Sequence, residues 1–327
     1  MTVYPNVKLN LGLRVLGRRP DGYHELETLF VPCDAFHDRL EISPATTFSL
    51  EISGPQYRGW DPESDLVAKA WRLLREETLR DPALAALCPG GLPPVQARLE
   101  KNSPVGAGLG GGSADAAFMI RALNDIFSLE LDDAALAALA ARLGSDCPFF
   151  IYNAPMFATG RGEVLEPFAL DLSGYRIEVA IPEGVAVSTA EAYAGLDAAQ
   201  PASAGSDVAK LAGAGPADPC HPRHRERGDR IAVGSSEARR SAGPAPAGAQ
   251  PLPLREAPLF PETLPLRKAL ALPVAQWRDA VVNDFERSVF PAHPEIAALK
   301  AQMYTRGAVY AAMSGSGSAV FGLFPSA

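Results

Sequence analysis

The sequence predicts an α+β protein in two domains, on three observations. Apolar residues recur with period two in some stretches and with helical spacing in others. The 327 residues, 47% of them hydrophobic, suffice for more than one core. A stretch at about 200–258, dominated by Pro, Ala, Gly, Ser and Arg, interrupts the pattern before order resumes near Trp277. We expect domains at 1–155 and 156–327, with a disordered insertion at about 200–258.

Residues Val7 to Val15 alternate, with Val7, Leu9, Leu11, Leu13 and Val15 on one face and Lys8 and Asn10 side by side on the other. This is a half-buried strand, and a solvated polar face accounts for Lys8 as readily as a functional one. Arg19-Pro20-Asp21-Gly22 is a turn, returning Tyr23 and His24 toward the first strand. Arg39–Ile42 and Phe48–Ile52 read as further strands of an antiparallel sheet. Ser64 caps a helix to Arg80, and Val95–Leu99 is a strand.

That strand runs into Pro104-Val105-Gly106-Ala107-Gly108-Leu109-Gly110-Gly111-Gly112-Ser113, and a helix from Ser113 to about Phe127 follows. Glycines opening directly into a helix leave backbone N–H groups to converge on an anion, with the positive end of the helix dipole behind them. The stretch contains G-x-G-x-x-G, but a second helix, capped by Asp132, follows where a dinucleotide fold needs a parallel strand. It also nearly matches the P-loop pattern, with Gly112 where the lysine belongs. Cationic charge for a phosphate must then come from elsewhere, and Lys8 is a candidate.

The second helix stops at Gly144, and Asp146 lies one residue short of the Cys147-Pro148 step, as a helix cap or a presented catalytic group. Ile177, Val179 and Ile181 mark a strand, and Ser188-Thr189-Ala190-Glu191 opens a helix carrying Tyr193. Trp277 to Glu286 reads as one helix, and a second starts after Pro294 and stops at Gly307. Strands at Val309–Met313 and Val320–Phe324 flank Ser314-Gly315-Ser316-Gly317-Ser318, a hairpin or a second backbone-rich loop beside the first.

Lys8-Leu9-Asn10-Leu11, the 104–117 stretch and Met313-Ser314-Gly315-Ser316-Gly317 resemble, in this order, the three motifs of the GHMP small-molecule kinases. Pro20-Asp21-Gly22-Tyr23-His24 and Gly144-Ser145-Asp146-Cys147-Pro148-Phe149-Phe150 are similar to the branch that phosphorylates a cytidine diphosphate-linked methylerythritol in isoprenoid biosynthesis. The resemblance implies an N-terminal domain like the second domain of ribosomal protein S5, a ferredoxin-like C-terminal domain and a site between them. It implies ATP on Pro104–Ser113, Mg²⁺ as cofactor with its ligands unassigned, and Lys8 and Asp146 as the catalytic pair. Asn10, Tyr23, His24, Tyr193, Ser314 and Gly315 fall at substrate positions, with Tyr23 and His24 near the cytosine. Asp65 stands where relatives are expected to carry an asparagine near the nucleotide. Another GHMP kinase, of mevalonate or homoserine type, and a non-catalytic ligand-binding relative are the alternatives.

A net charge of −8 argues against a nucleic-acid or membrane-surface partner. The absence of a spanning run or a signal-peptide pattern leads us to expect a cytoplasmic protein, a monomer or weak homodimer. Cys33, Cys88, Cys147 and Cys220 lack paired spacing, and Cys220, His221 and His224 sit in the low-complexity stretch without a fourth ligand, so no structural metal is expected.

Overall fold

The computed structural model describes residues 1–199 and 264–326. The segment expected to be disordered, with Cys220, His221 and His224, lies outside the described residues. Three sheets and their helices make an α+β architecture. Strand β1 (Thr2–Val3) leads into β2 (Asn6–Arg18), which pairs antiparallel with β3 (His24–His37) across the turn expected at Arg19–Gly22. Strands β4 (Arg39–Pro44) and β5 (Ser49–Ser53) follow, then α1 (Leu66–Arg80), α2 (Pro82–Leu87) and β6 (Val95–Glu100). One sheet has the order β1-β4-β6-β5.

Strand β4 meets β6 antiparallel, but β5 meets β6 parallel, so this sheet is mixed. The reason is the crossover through α1 and α2, which returns the chain in the direction it left β5. The helix cap also differs from expectation. Pro62 opens a single 3₁₀ turn, the Ser64 hydroxyl donates to Asp61 O (2.7 Å), and Asp65 caps α1 by accepting from Val67 N (2.9 Å).

Helices α3 (Gly111–Ile126), α4 (Asp133–Ala141) and α5 (Cys147–Tyr152) follow the glycine stretch. Asp132 caps α4, accepting from Ala135 N at 2.8 Å, as its position before the Ala/Leu run predicts. Ala114, Ala117, Ile120 and Leu123 of α3 pack with Leu73 and Leu74 of α1 and Leu99 of β6 in one core. The hairpin β7 (Met156–Thr159) and β8 (Val164–Pro167) extends the second sheet to β2-β3-β7-β8. Strand β9 (Tyr175–Ala180) and helix α6 (Thr189–Ala199) precede the undescribed segment, and Ser188 Oγ accepts from Glu191 N (3.1 Å), as the capping pattern predicts.

After that segment come α7 (Leu266–Leu270), α8 (Trp277–Ala280), α9 (Glu286–Ala292), α10 (Pro294–Thr305), β10 (Tyr310–Met313) and β11 (Val320–Pro325). The third sheet is β10-β11-β9, antiparallel throughout. The single helix expected over Trp277–Glu286 is broken. Leu13 N donates to Val282 O (3.0 Å) and Asp284 N donates to Leu13 O (2.8 Å), so β2 claims this backbone and unwinds it.

Strand β2 is the edge of its sheet, yet it is buried on both faces for ten residues, Asn6 to Val15. The solvated polar face is therefore not what the fold makes. Leu9 and Leu11 face a core with Leu29, Trp277 and Phe321, while functional loops cover the opposite face and the free edge. An edge strand presents unpaired N–H groups, and here they recruit those loops: Lys8 N donates to Leu109 O (2.9 Å) and Asn10 N to Ser314 Oγ (3.3 Å).

Candidate active site

Two cavities meet at the glycine stretch. The larger, about 410 Å³, runs from Trp60 and Asp65 along Pro104–Ser113. The smaller, about 330 Å³, is walled by Lys8, Asn10, Asp146, Arg161, Tyr193 and Gly315, among others. Gly108, Gly110 and Ser113 line both, so the two cavities adjoin at these residues.

The glycines are demanded by close approach. Gly108 has φ +77°, and a Cβ there would stand 2.2 Å from Ser314 O. Gly110, left-handed at +73° and the N-cap of α3, would bring a Cβ within 3.2 Å of Lys8 Cε. The loop after β10 is thus a second backbone-rich loop packed on the first. Ser314 Oγ donates to Gly108 O (3.2 Å) and Asn10 Oδ1 (3.4 Å), and Ala319 N donates to Ala107 O (3.1 Å). No side chain caps α3, so its N-terminal N–H groups are available to an anion.

Lys8 Nζ donates to Asn10 Oδ1 (2.6 Å) and stands 3.5 Å from Asp146 Oδ2; its side chain is 4% exposed, against 31% for Asp146. Burial depresses the Lys8 pKa, an effect that the charge and hydrogen bond of Asp146 oppose. Asp146 occupies the N-cap position of α5, but its carboxylate caps no helix N–H, so it is presented to the cavity. The β2 bulge at Gly12 aims Thr28 inward: Asn10 Nδ2 donates to Thr28 Oγ1 (2.9 Å), which donates to Gly12 O (2.6 Å). Asn10 is thereby held with its oxygen toward the lysine. Burial pushes the Cys147 thiol up to about 12, so this neighbour of Asp146 is no nucleophile.

The structure brings Lys8, Asn10, Asp146, Tyr193 and Gly315 to one cavity and Asp65 to the other. Ser314 is fully buried, its hydroxyl engaged by Asn10 and Gly108. Asp65 spends its carboxylate on Val67 N and on Trp60 Nε1 (2.9 Å). His24 is buried and stacks on Tyr193 at 4.4 Å and 13°, with Nε2 at 3.0 Å from Asp197 Oδ1. Tyr23 projects outward at 58% exposure, under the Arg161 guanidinium at 4.8 Å. Burial pushes the Tyr193 hydroxyl up to about 12, which keeps it neutral.

Sequence reasoning did not single out Trp60, Thr28, Arg161 or Phe285. The Gly160-Arg161-Gly162 turn was the available signal for Arg161, since a hairpin tip presents its side chain. Among the described residues no group of three or more His, Cys, Asp or Glu side chains forms a metal cluster, and no helix is long and apolar enough to cross a membrane.

The family model "GHMP kinases N terminal domain" matches residues 65–154, and "GHMP kinases C terminal" matches 266–327. The chain is 40% identical to the 4-diphosphocytidyl-2-C-methyl-D-erythritol kinase of Bacteroides thetaiotaomicron, over 99% of this chain and 92% of that protein. Identity to the enzyme of the same name from Oleidesulfovibrio alaskensis is 37%, over 99% and 90%. A crystal structure of 4-(cytidine 5'-diphospho)-2C-methyl-D-erythritol kinase superposes with a TM-score of 0.64 at 31% identity, covering 99% of this chain and 90% of that one. Mevalonate kinase from Methanococcus jannaschii, at 10% identity and a TM-score of 0.56, shares the fold.

Proposed function

The chain belongs to the 4-diphosphocytidyl-2-C-methyl-D-erythritol kinases among the GHMP kinases, and from that premise we propose how its residues carry the reaction. The reaction is ATP-dependent phosphorylation of 4-diphosphocytidyl-2-C-methyl-D-erythritol. We assign the 2-hydroxyl as the acceptor, in the methylerythritol phosphate route of isoprenoid biosynthesis, and the cytoplasm as its place. Residues 1–155 supply the nucleotide and catalytic groups, and 156–327 complete the substrate side.

ATP lies in the larger cavity, its base toward Trp60 and Asp65 and its phosphates on Pro104–Ser113 and the N-terminus of α3. The γ-phosphate reaches the smaller cavity at Gly108, Gly110 and Ser113. There the Asp146 carboxylate takes the proton of the acceptor hydroxyl as its oxygen bonds to phosphorus and the bond to ADP breaks. Lys8 holds that carboxylate in place and offsets negative charge in the transition state. Asn10 fixes Lys8, and Ser314 fixes Asn10 against the glycine stretch.

Among the described residues no cluster of three or more carboxylate, imidazole or thiol side chains is set up for Mg²⁺, which fits an ion that takes most of its oxygens from phosphates and water. Ser113 and Asp146, both facing the smaller cavity, are the side chains that would hold it. When bound, the ion would supply charge neutralisation to the phosphates.

On the substrate side, His24 and Tyr193 mark the cytosine end, with Tyr23 beside it. Arg161, which overlies Tyr23 and lines the same cavity as Asp146, supplies positive charge to the diphosphate, which separates the base from the reacting alcohol.

The observation that carries this reading is the Lys8–Asp146 pair at the wall where the glycine stretch meets the second cavity. A screen of alcohols with γ-labelled ATP tests it. Label on the cytidine diphosphate compound, and none on mevalonate or homoserine, is expected. Label on mevalonate or homoserine alone overturns the substrate and keeps the kinase class.

A further inference from the structure

Beside the glycine stretch lies a buried charged cluster that the proposed reaction does not use. Lys101 Nζ donates to Asp38 Oδ2 (2.5 Å) and to Asp115 Oδ2 (2.6 Å), and none of the three side chains is more than 4% exposed. The other oxygen of Asp38, Oδ1, accepts from Asn102 N (2.6 Å) and Ser103 N (2.7 Å).

These contacts join three parts of the chain. Asp38 lies between β3 and β4, Lys101 to Ser103 is the backbone just ahead of Pro104, and Asp115 belongs to the second turn of α3. Both ends of the Pro104–Gly110 loop are therefore tied to one ammonium group. Gly111 closes over the cluster: a Cβ there would stand 3.2 Å from Ser103 Cβ, 3.6 Å from Lys101 Nζ and 3.7 Å from Asp38 Oδ2. Lys101 and Asp115 also contribute to the wall of the larger cavity.

Stability alone is a weak reason for such a cluster, because buried ions lose much of their hydration and apolar replacements of the same volume often serve as well. What apolar side chains cannot do is link two backbone N–H groups to a helix turn through a continuous chain of hydrogen bonds. The geometry points to a positioning role: Asp38, Lys101 and Asp115 fix the separation of the two ends of the glycine stretch and so set the width of the phosphate cradle. The inference rests on the reading of that cavity as the ATP site.

The charge state suits this role. Burial depresses the Lys101 pKa, but the charges of Asp115 and Asp38 outweigh burial and leave it raised, so the ammonium stays charged. Burial pushes the Asp115 carboxyl well up. Asp115 Oδ1 is buried without a hydrogen bond, so the Lys101 ammonium is the side-chain partner that holds this carboxyl group.

The test is calorimetric affinity of the full chain for a non-hydrolysable ATP analogue and, separately, for the cytidine substrate, with melting temperatures measured in parallel. Lys101→Met should weaken the analogue at least tenfold and leave substrate affinity within twofold. Asp115→Asn should weaken the analogue by about threefold, and adding it to Lys101→Met should weaken it no further, because the tie between the loop and α3 is already cut. If Lys101→Met does not fold, Lys101→Arg carries the test, since it keeps the charge but lengthens the arm. A threefold or greater loss of analogue affinity at an unchanged melting temperature is then expected. Unchanged analogue affinity, or both affinities falling in step with the melting temperature, overturns the inference. A wild-type chain that binds the analogue but phosphorylates no cytidine compound contradicts the substrate reading and leaves the cradle testable by the same variants. A wild-type chain that does not bind the analogue contradicts both.

Discussion

Lys8 Nζ stands 3.5 Å from Asp146 Oδ2 and 2.6 Å from Asn10 Oδ1, so the ammonium from the first long strand holds a carboxylate supplied 138 positions later. Without it, Asp146 loses both its orientation and the cation that offsets developing charge. Lys8→Met should lower kcat by about 10²–10³, the order seen for loss of a preorganised electrostatic group, with ATP KM changed less than threefold. Steady-state kinetics decide this, and a kcat within threefold of wild type counts against the pairing.

The pH dependence follows from the same lysine. Burial depresses its pKa, and the active form is the ammonium, so raising the pH removes the charge earlier than in an exposed lysine. The wild-type kcat should therefore decline on the alkaline side before pH 10.5 is reached. Lys8→Arg keeps its charge throughout that range and should abolish the decline, at a lower overall rate. A decline that survives in Lys8→Arg belongs to another group.

Gly108 is fixed by two constraints, φ +77° and the carbonyl of Ser314, 2.2 Å from where a Cβ would stand. Gly108→Ala should raise ATP KM more than tenfold and destabilise the protein by at least about 1 kcal/mol, the usual cost of a left-handed non-glycine residue. Thermal melting and ATP titration of the same preparation measure both effects. Unchanged ATP binding would show that the two loops can separate without consequence.

Arg161 faces the smaller cavity and overlies Tyr23 at 4.8 Å. Charge-assisted hydrogen bonds to phosphate contribute roughly 1.5–3 kcal/mol, which corresponds to about 10–100-fold in affinity. Arg161→Ala should raise substrate KM by that factor and leave ATP KM unchanged, whereas Arg161→Lys should recover part of it. Equal effects on both KM values would place the arginine on the nucleotide instead.

Much of the site was legible because its residues announce themselves locally. Asp146 follows a glycine helix stop and precedes a proline, and Lys8 and Asn10 share one face of a strand with clean alternation. What local pattern could not show was burial of that face, which depends on loops from residues near 109, 282 and 314 docking on an edge strand. The same reason hides Asp38: its partners lie 63–65 positions away, and nothing around it differs from an ordinary strand connection. The helix expected at Trp277–Glu286 failed similarly, because pairing with Leu13 outweighs intrinsic helical preference. Tyr23 and His24 part despite their adjacency: His24 begins a strand and turns in toward Tyr193, while Tyr23 still belongs to the turn and stays outside.

The most direct test of the account is single-turnover transfer from γ-labelled ATP to 4-diphosphocytidyl-2-C-methyl-D-erythritol by wild type and Asp146→Asn at saturating ATP. Asparagine keeps the shape of the side chain and removes the proton acceptor. The account predicts a transfer rate lower by about 10²–10⁴, the range for general-base catalysis, with ATP affinity within threefold of wild type. Transfer by Asp146→Asn within tenfold of the wild-type rate would contradict it.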